Sequence, residues 1–146
     1  MELLARTNRW YWRYTKPMKN KRAIKLSKQD HEIISYILKQ HTQRSLSSLL
    51  QKWQYFVVEV QRGYSSSIYD YTNALSIRDI IQSTINVISK NGQKEILGLL
   101  QEADDIFQTS TRQVQNPLLN YAINHENWWW YRFPKLHTDA IEEDVV

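Results

Sequence analysis

The chain predicts an all-α fold: a compact bundle of four to five helices with a basic, aromatic, non-helical N-terminal arm and an acidic C-terminal tail. Three observations lead there. Only 3 glycines and 3 prolines occur in 146 residues, too few breakers for a fold of many short strands. Apolar residues recur at spacings of three and four along most of the chain, the period of a helix with one buried face. Finally, residues 1–28 carry 9 basic groups and 1 acidic group, whereas residues 29–146 carry 10 basic and 14 acidic. The net +4 therefore divides into a basic arm and a mildly acidic body. One domain is expected at this length, parsed as arm 1–26, bundle 27–134 closed by an aromatic cluster, and tail 135–146.

The elements follow in chain order. Residues 1–26 show no sustained helical period and contain Pro17, so they read as extended or partly ordered chain. Ser27 with Asp30 three residues on makes a capping arrangement, and Ile34, Ile37, Leu38 and His41 continue a stripe. Leu46, Leu49, Leu50, Trp53, Phe56, Val57 and Val60 form the strongest stripe, ended by Gly63. The two stripes are out of phase, which predicts a break at residues 42–45 although neither glycine nor proline enforces it. Residues 64–73 read as a polar, tyrosine-rich connection. Ser76 and Asp79 repeat the capping pattern for a helix through Ile77, Ile80, Ile81, Thr84 and Ile88, stopped by Asn91-Gly92. The next helix runs from about Gln93 through Ile96, Leu99, Leu100, Ala103, Ile106 and Phe107, and Pro117 opens a short helix through Tyr121, Ala122 and Ile123.

Three segments carry candidate contacts. The first is the arm, where Arg9-Trp10-Tyr11-Trp12-Arg13-Tyr14 interleaves rings with cations. Arg6, Arg9, Trp10, Trp12, Arg13, Lys19, Lys21 and Arg22 are the candidate nucleic-acid or anion contacts, since rings stack on unpaired bases while cations track phosphates. An acidic protein, a membrane surface, or simple packing on the bundle with a solvated basic fringe fits the same pattern. The second segment is Trp128-Trp129-Trp130-Tyr131-Arg132-Phe133, which is either a lid on the bundle or an interface anchor, because rings this large cover something. The third is the connection at residues 64–79, with Tyr69, Asp70, Tyr71, Arg78 and Asp79. There a binding surface competes with turn and cap hydrogen bonds from Asp70 and Asn73, Asp79 capping its helix, and Arg78 paired to a carboxylate. The candidate partner interface is Tyr69, Asp70, Tyr71, Arg78, Trp128, Trp129, Trp130 and Arg132. Runs 10–14 and 129–133 share an aromatic-arginine-aromatic order and could pair as a ribbon, although coincidence explains it better.

Other classes are poorly served by the sequence. With no cysteine there is no disulfide framework or thiolate nucleophile. The 4 histidines, His31, His41, His125 and His137, lack metal-ligand spacing, and Asp30-His31-Glu32 reads as a solvated helix start. No nucleophile elbow or glycine-rich phosphate loop occurs, and Asp104-Asp105 points two carboxylates in different directions. No catalytic residue, metal or cofactor is therefore assigned. Neither a secretory signal nor a membrane span is expected, so a cytoplasmic protein follows.

The order Trp53, Gly63-Tyr64, Asp70-Tyr71-Thr72-Asn73, Leu75, Arg78-Asp79 and Trp128-Trp129-Trp130-Tyr131-Arg132-Phe133-Pro134 resembles small bacterial helical proteins of uncharacterised function. The resemblance spans residues 46–134. It implies one compact helical unit and brings no activity, cofactor or site residue. The function expected is non-enzymatic macromolecular binding with a protein partner favoured. The alternative is single-stranded or non-specific nucleic-acid binding through the arm, and an enzyme with a site near residues 64–79 is a third reading. Self-association through the aromatic end is compatible with the same pattern.

Overall fold

The computed structural model describes residues 24–120 and 126–143. Arg6, Arg9, Trp10, Trp12, Arg13, Lys19, Lys21 and Arg22 lie outside the described residues, as do Tyr121, Ala122, Ile123 and His125. The described chain is mostly helical: α1 (Lys28–His41), α2 (Leu46–Arg62), α3 (Ile68–Ile85), α4 (Lys90–Ser110) and a short α5 (Ala140–Glu143). Two three-residue strands, β1 (Thr111–Gln113) and β2 (Arg132–Pro134), add a small ribbon.

Serine sets every long helix. Ser27, Ser45, Ser67 and Ser89 are the N-caps of α1 to α4, each hydroxyl accepting a backbone N–H three residues on, which satisfies an amide the helix cannot. The break at residues 42–45 is present. Thr42 is extended, and its hydroxyl accepts the Arg44 amide at 3.1 Å, so a side-chain turn enforces what glycine or proline would otherwise do. Gly63, with φ of +119°, ends α2 in a conformation that side-chain-bearing residues rarely adopt.

Two expected boundaries are corrected. The tyrosine-rich stretch is the first half of α3, capped by Ser67, and Ser76 and Asp79 lie inside that helix. Ile68, Tyr71 and Leu75 are all buried there, so the apolar stripe includes, at its second position, a tyrosine that reads as polar in a loop. Asn91-Gly92 does not stop a helix either: α3 ends at Ile85, and Gly92 sits in the first turn of α4. A Cβ on Gly92 would meet Asp30 Oδ2 at 2.5 Å. The residue is glycine because α1 approaches that closely.

The core is aromatic at its centre. Trp53, Tyr71 and Phe107 are fully buried, with Trp53–Phe107 centroids 5.1 Å apart and Phe56–Tyr71 also 5.1 Å apart, within the range of favourable ring pairs. α2 packs most extensively, against both α3 and α4. The expectations did not include the ribbon, in which Arg112 faces Phe133 and Gln113 faces Arg132. The described partner of β2 is thus β1; run 10–14 is outside the described residues. Of the helix expected after Pro117, Leu118–Asn120 forms one 3-10 turn, with Leu119 at φ of +56°. At the other end, residues 140–143 form α5 rather than non-helical tail, and Ile141 is fully buried. Tyr64 N–H donates to Leu136 O, and Thr138 N–H to Tyr64 O, both at 2.9 Å, which ties this segment to the end of α2.

Candidate functional site

Consecutive residues on a helix point about 100° apart, and α3 uses this at Arg78 and Asp79. Arg78 continues the buried stripe Ile68, Tyr71, Leu75, Arg78, Ile81, Ile85, and its side chain is 3% exposed. A cation so buried must be paired. Nε donates to Asp104 Oδ1 at 3.2 Å and Nη2 to Oδ2 at 2.9 Å, a bidentate pair, while Nη1 reaches Gln82 Oε1 at 3.0 Å. Trp53 Nε1 adds a third bond to Asp104 Oδ1 at 2.9 Å. The guanidinium lies 4.3 Å from the ring centroid of Trp129, a stacking geometry favourable for a cation on an indole face.

Asp79 faces the aromatic run instead. Its Oδ1 accepts Trp129 Nε1 at 2.8 Å, Trp130 Nε1 at 3.0 Å and Asn127 Nδ2 at 2.8 Å. An anionic acceptor is well suited to two indoles, which can only donate. Both rings are buried, Trp129 to 2% exposure and Trp130 to 3%. Trp128 is half-buried against Phe107, with centroids 5.9 Å apart. Arg132 completes the closure. Its Nη2 donates to the carbonyls of Gln108 and Thr111 and its Nε to Thr111 Oγ1. A cation thereby caps the carbonyl end of α4, where the helix dipole favours positive charge. The Tyr71 hydroxyl donates to Arg132 O at 2.8 Å.

Of the eight candidate interface residues, the fold brings Tyr71, Arg78, Trp128, Trp129, Trp130 and Arg132 together in one connected cluster against the core. There they bind each other and the helices. Tyr69 and Asp70 stay exposed at the start of α3. Asp79 caps no helix; it holds the aromatic run down. Burial, ahead of the charges of Asp70 and Glu59, pushes the Tyr64 hydroxyl above the ordinary tyrosine range, and burial does the same to Tyr71. Burial also raises the Glu59 carboxyl, against the attraction of Arg62. The Tyr64 and Tyr71 hydroxyls donate to the carbonyls of Ser67 and Arg132.

Asp30 corrects another expectation. It is 3% exposed rather than solvated, accepting the Ser89 amide at 3.0 Å on Oδ1 and the Ser89 hydroxyl on Oδ2. Those bonds, side chain first, hold its carboxyl below the usual range. One carboxylate thus joins the start of α1 to the cap of α4. The signal was present in the sequence, because the phase of Leu38 and Ile34 carried back four residues lands on Asp30. His31 and His41 are exposed on α1, and His137 Nε2 lies 3.7 Å from Glu142. Among the described residues no three His, Asp or Glu side chains are grouped to hold a metal ion, and no helix is long and apolar enough to cross a membrane.

A different surface combines an exposed ring with cations. A shallow groove along α1 is lined by Leu26, Lys28, His31, Glu32, Tyr36 and Lys39, and Tyr36 is 69% exposed. Comparison with protein-family models, with curated proteins and with solved structures finds no match to this chain, so its own side chains carry the functional argument.

Proposed function

We propose that the protein is a non-enzymatic binding module for an anionic macromolecule. In this reading the helices form a compact bundle, residues 1–26 are a basic aromatic arm, and the last residues are an acidic tail. The absence of cysteine fits a reducing, cytoplasmic setting. One observation carries the reading. Residues 1–58 hold 12 Lys and Arg against 3 Asp and Glu, whereas residues 59–146 hold 7 against 12. The positive half runs from the arm through α1 into α2, and one of its three acids, Asp30, is consumed by the Ser89 cap. Dense positive charge rewards a polyanion through Coulomb attraction and counterion release.

The groups best suited to chemistry support the same conclusion by being occupied. Arg78, Asp104 and Asp79 are engaged in internal hydrogen bonds. Since Trp129 and Trp130 are buried, the protein partner favoured by the sequence is retained in this reading as one with an acidic surface. The test titrates the full chain with a labelled single-stranded oligonucleotide and with labelled polyglutamate, each at low and physiological salt. A variant with Arg6, Arg9, Arg13, Lys19, Lys21 and Arg22 changed to Gln is compared. Binding that weakens with salt and with the variant is expected, and no salt-sensitive binding of either probe overturns the reading.

A further inference from the structure

Resting on the anionic-partner reading, we propose that single-stranded nucleic acid binds along the outer face of α1, with a base stacked on Tyr36 and phosphates held by Lys28 and Lys39. The helical phase supports it. Lys28, Glu32, Ser35, Tyr36 and Lys39 share one face of α1 and line its groove. At ~1.5 Å rise per residue, Lys28 and Lys39 lie about 16 Å apart along the axis, a span of a few nucleotides.

An exposed ring alone would mean nothing, since single apolar residues are common on surfaces. This ring differs in its setting. Tyr36 is the most exposed large hydrophobic side chain among the described residues, at 69%, and it stands in a groove with an apolar wall at Leu26 and with Lys28, Lys39 and the His31 ring. Glu32 is the groove's sole carboxylate. The groove is also continuous with the most basic part of the chain. The 23 residues that precede Ile24 contain Arg9-Trp10-Tyr11-Trp12-Arg13, and the groove begins at Leu26 and Lys28 where that segment ends.

The chemistry favours an unpaired strand over other polyanions. Duplex bases are already stacked inward, so a surface ring meets only their edges or backbone, whereas an unpaired base presents its face. An acidic protein would be expected to supply apolar anchors to a pocket, and this face exposes one ring among polar neighbours. A membrane surface needs a broad apolar stripe on the contacting face, which α1 keeps for the core through Ile34 and Leu38.

The experiment uses the full chain with fluorescein-labelled single-stranded and duplex oligonucleotides and with polyglutamate, over a series of salt concentrations. It compares Tyr36→Ala, Tyr36→Phe and Lys28→Gln/Lys39→Gln. Tyr36→Ala is expected to weaken single-strand binding about 5- to 150-fold, the range for losing one base-aromatic stack. Tyr36→Phe keeps it, and polyglutamate is indifferent to both. Lys28→Gln/Lys39→Gln should reduce the steepness of the salt dependence by about 0.7 per lost phosphate contact. Photocrosslinking to a 5-iodouracil oligonucleotide should label residues 28–39. Oligonucleotide binding that ignores Tyr36→Ala, with crosslinks only outside α1, overturns this site and leaves the anionic-partner reading standing. Polyglutamate binding without oligonucleotide binding overturns nucleic acid as the partner, and binding of neither probe overturns both. Circular dichroism of each variant separates lost binding from lost fold.

Discussion

The aromatic end of the core and the outer face of α1 are built from the same kinds of side chain and use them in opposite directions. At the first, Trp129 stacks on Arg78, and Asp79 gathers the indole N–H groups of Trp129 and Trp130, so rings and ions are withdrawn from water. On α1, Tyr36 is left exposed among Lys28, His31 and Lys39. At residues 128–133, aromatic density therefore goes largely into packing. Helical phase decides: Arg78 falls on the buried stripe of α3, whereas Tyr36 falls off the Asp30, Ile34, Leu38 stripe of α1.

The largest expected effect breaks the inward side. Asp104→Ala leaves Arg78 buried without its carboxylate and Trp53 without its acceptor, and should cost about 3–5 kcal/mol in chemical denaturation. Arg78→Met/Asp104→Leu, which removes both charges, should cost much less, because the penalty lies in the orphaned cation. Next comes Asp79→Ala, which frees three donors at once and should cost about 2–4 kcal/mol, with tryptophan emission shifting to the red as the run loosens. Asp79→Asn keeps one acceptor oxygen and should cost less than Asp79→Ala.

Much of this fold was legible in the sequence. Ser27 and Gly63 marked real ends, and the phase slip at residues 42–45 marked a real break. The start of α3 was missed because a tyrosine buried by packing looks, in sequence, like a polar loop residue. Gly92 was misread because close approach and helix termination call for the same residue, and only the position of Asp30 distinguishes them. The ribbon of three-residue strands carries too little pattern to be seen. At the site, a carboxylate partner for Arg78 and the divergence of Asp104 from Asp105 were both readable. Asp79 as acceptor for two indoles was not, since that depends on residues about 50 positions away.

The seam between α1 and α4 sharpens the contrast, for it shows α1 has an inward side of its own. Gly92→Ala drives a methyl group onto Asp30 and should cost about 1–3 kcal/mol. Gly98→Ala, with nothing within 4 Å, should instead stabilise by about 0.5–1 kcal/mol through helix propensity. Asp30 also sets a pH dependence. Its folded-state pKa is depressed, so the stability it contributes is complete above the unfolded value near 3.8 and is lost as pH falls through the lower folded value. Acid titration of unfolding should lose this component in Asp30→Asn. The smallest effect belongs to the outer face: Tyr36→Ala should change stability by no more than about 0.5 kcal/mol, in contrast to any truncation of Trp129 or Trp130.

As proposed above, contact is made by the basic α1 side while the aromatic run at residues 128–133 stays closed. Hydrogen–deuterium exchange of the full chain with and without a single-stranded oligonucleotide tests it most directly. Added protection is expected over residues 28–39, with no change over residues 128–133. Protection concentrated on residues 128–133, or none on α1 at saturating oligonucleotide, would contradict it.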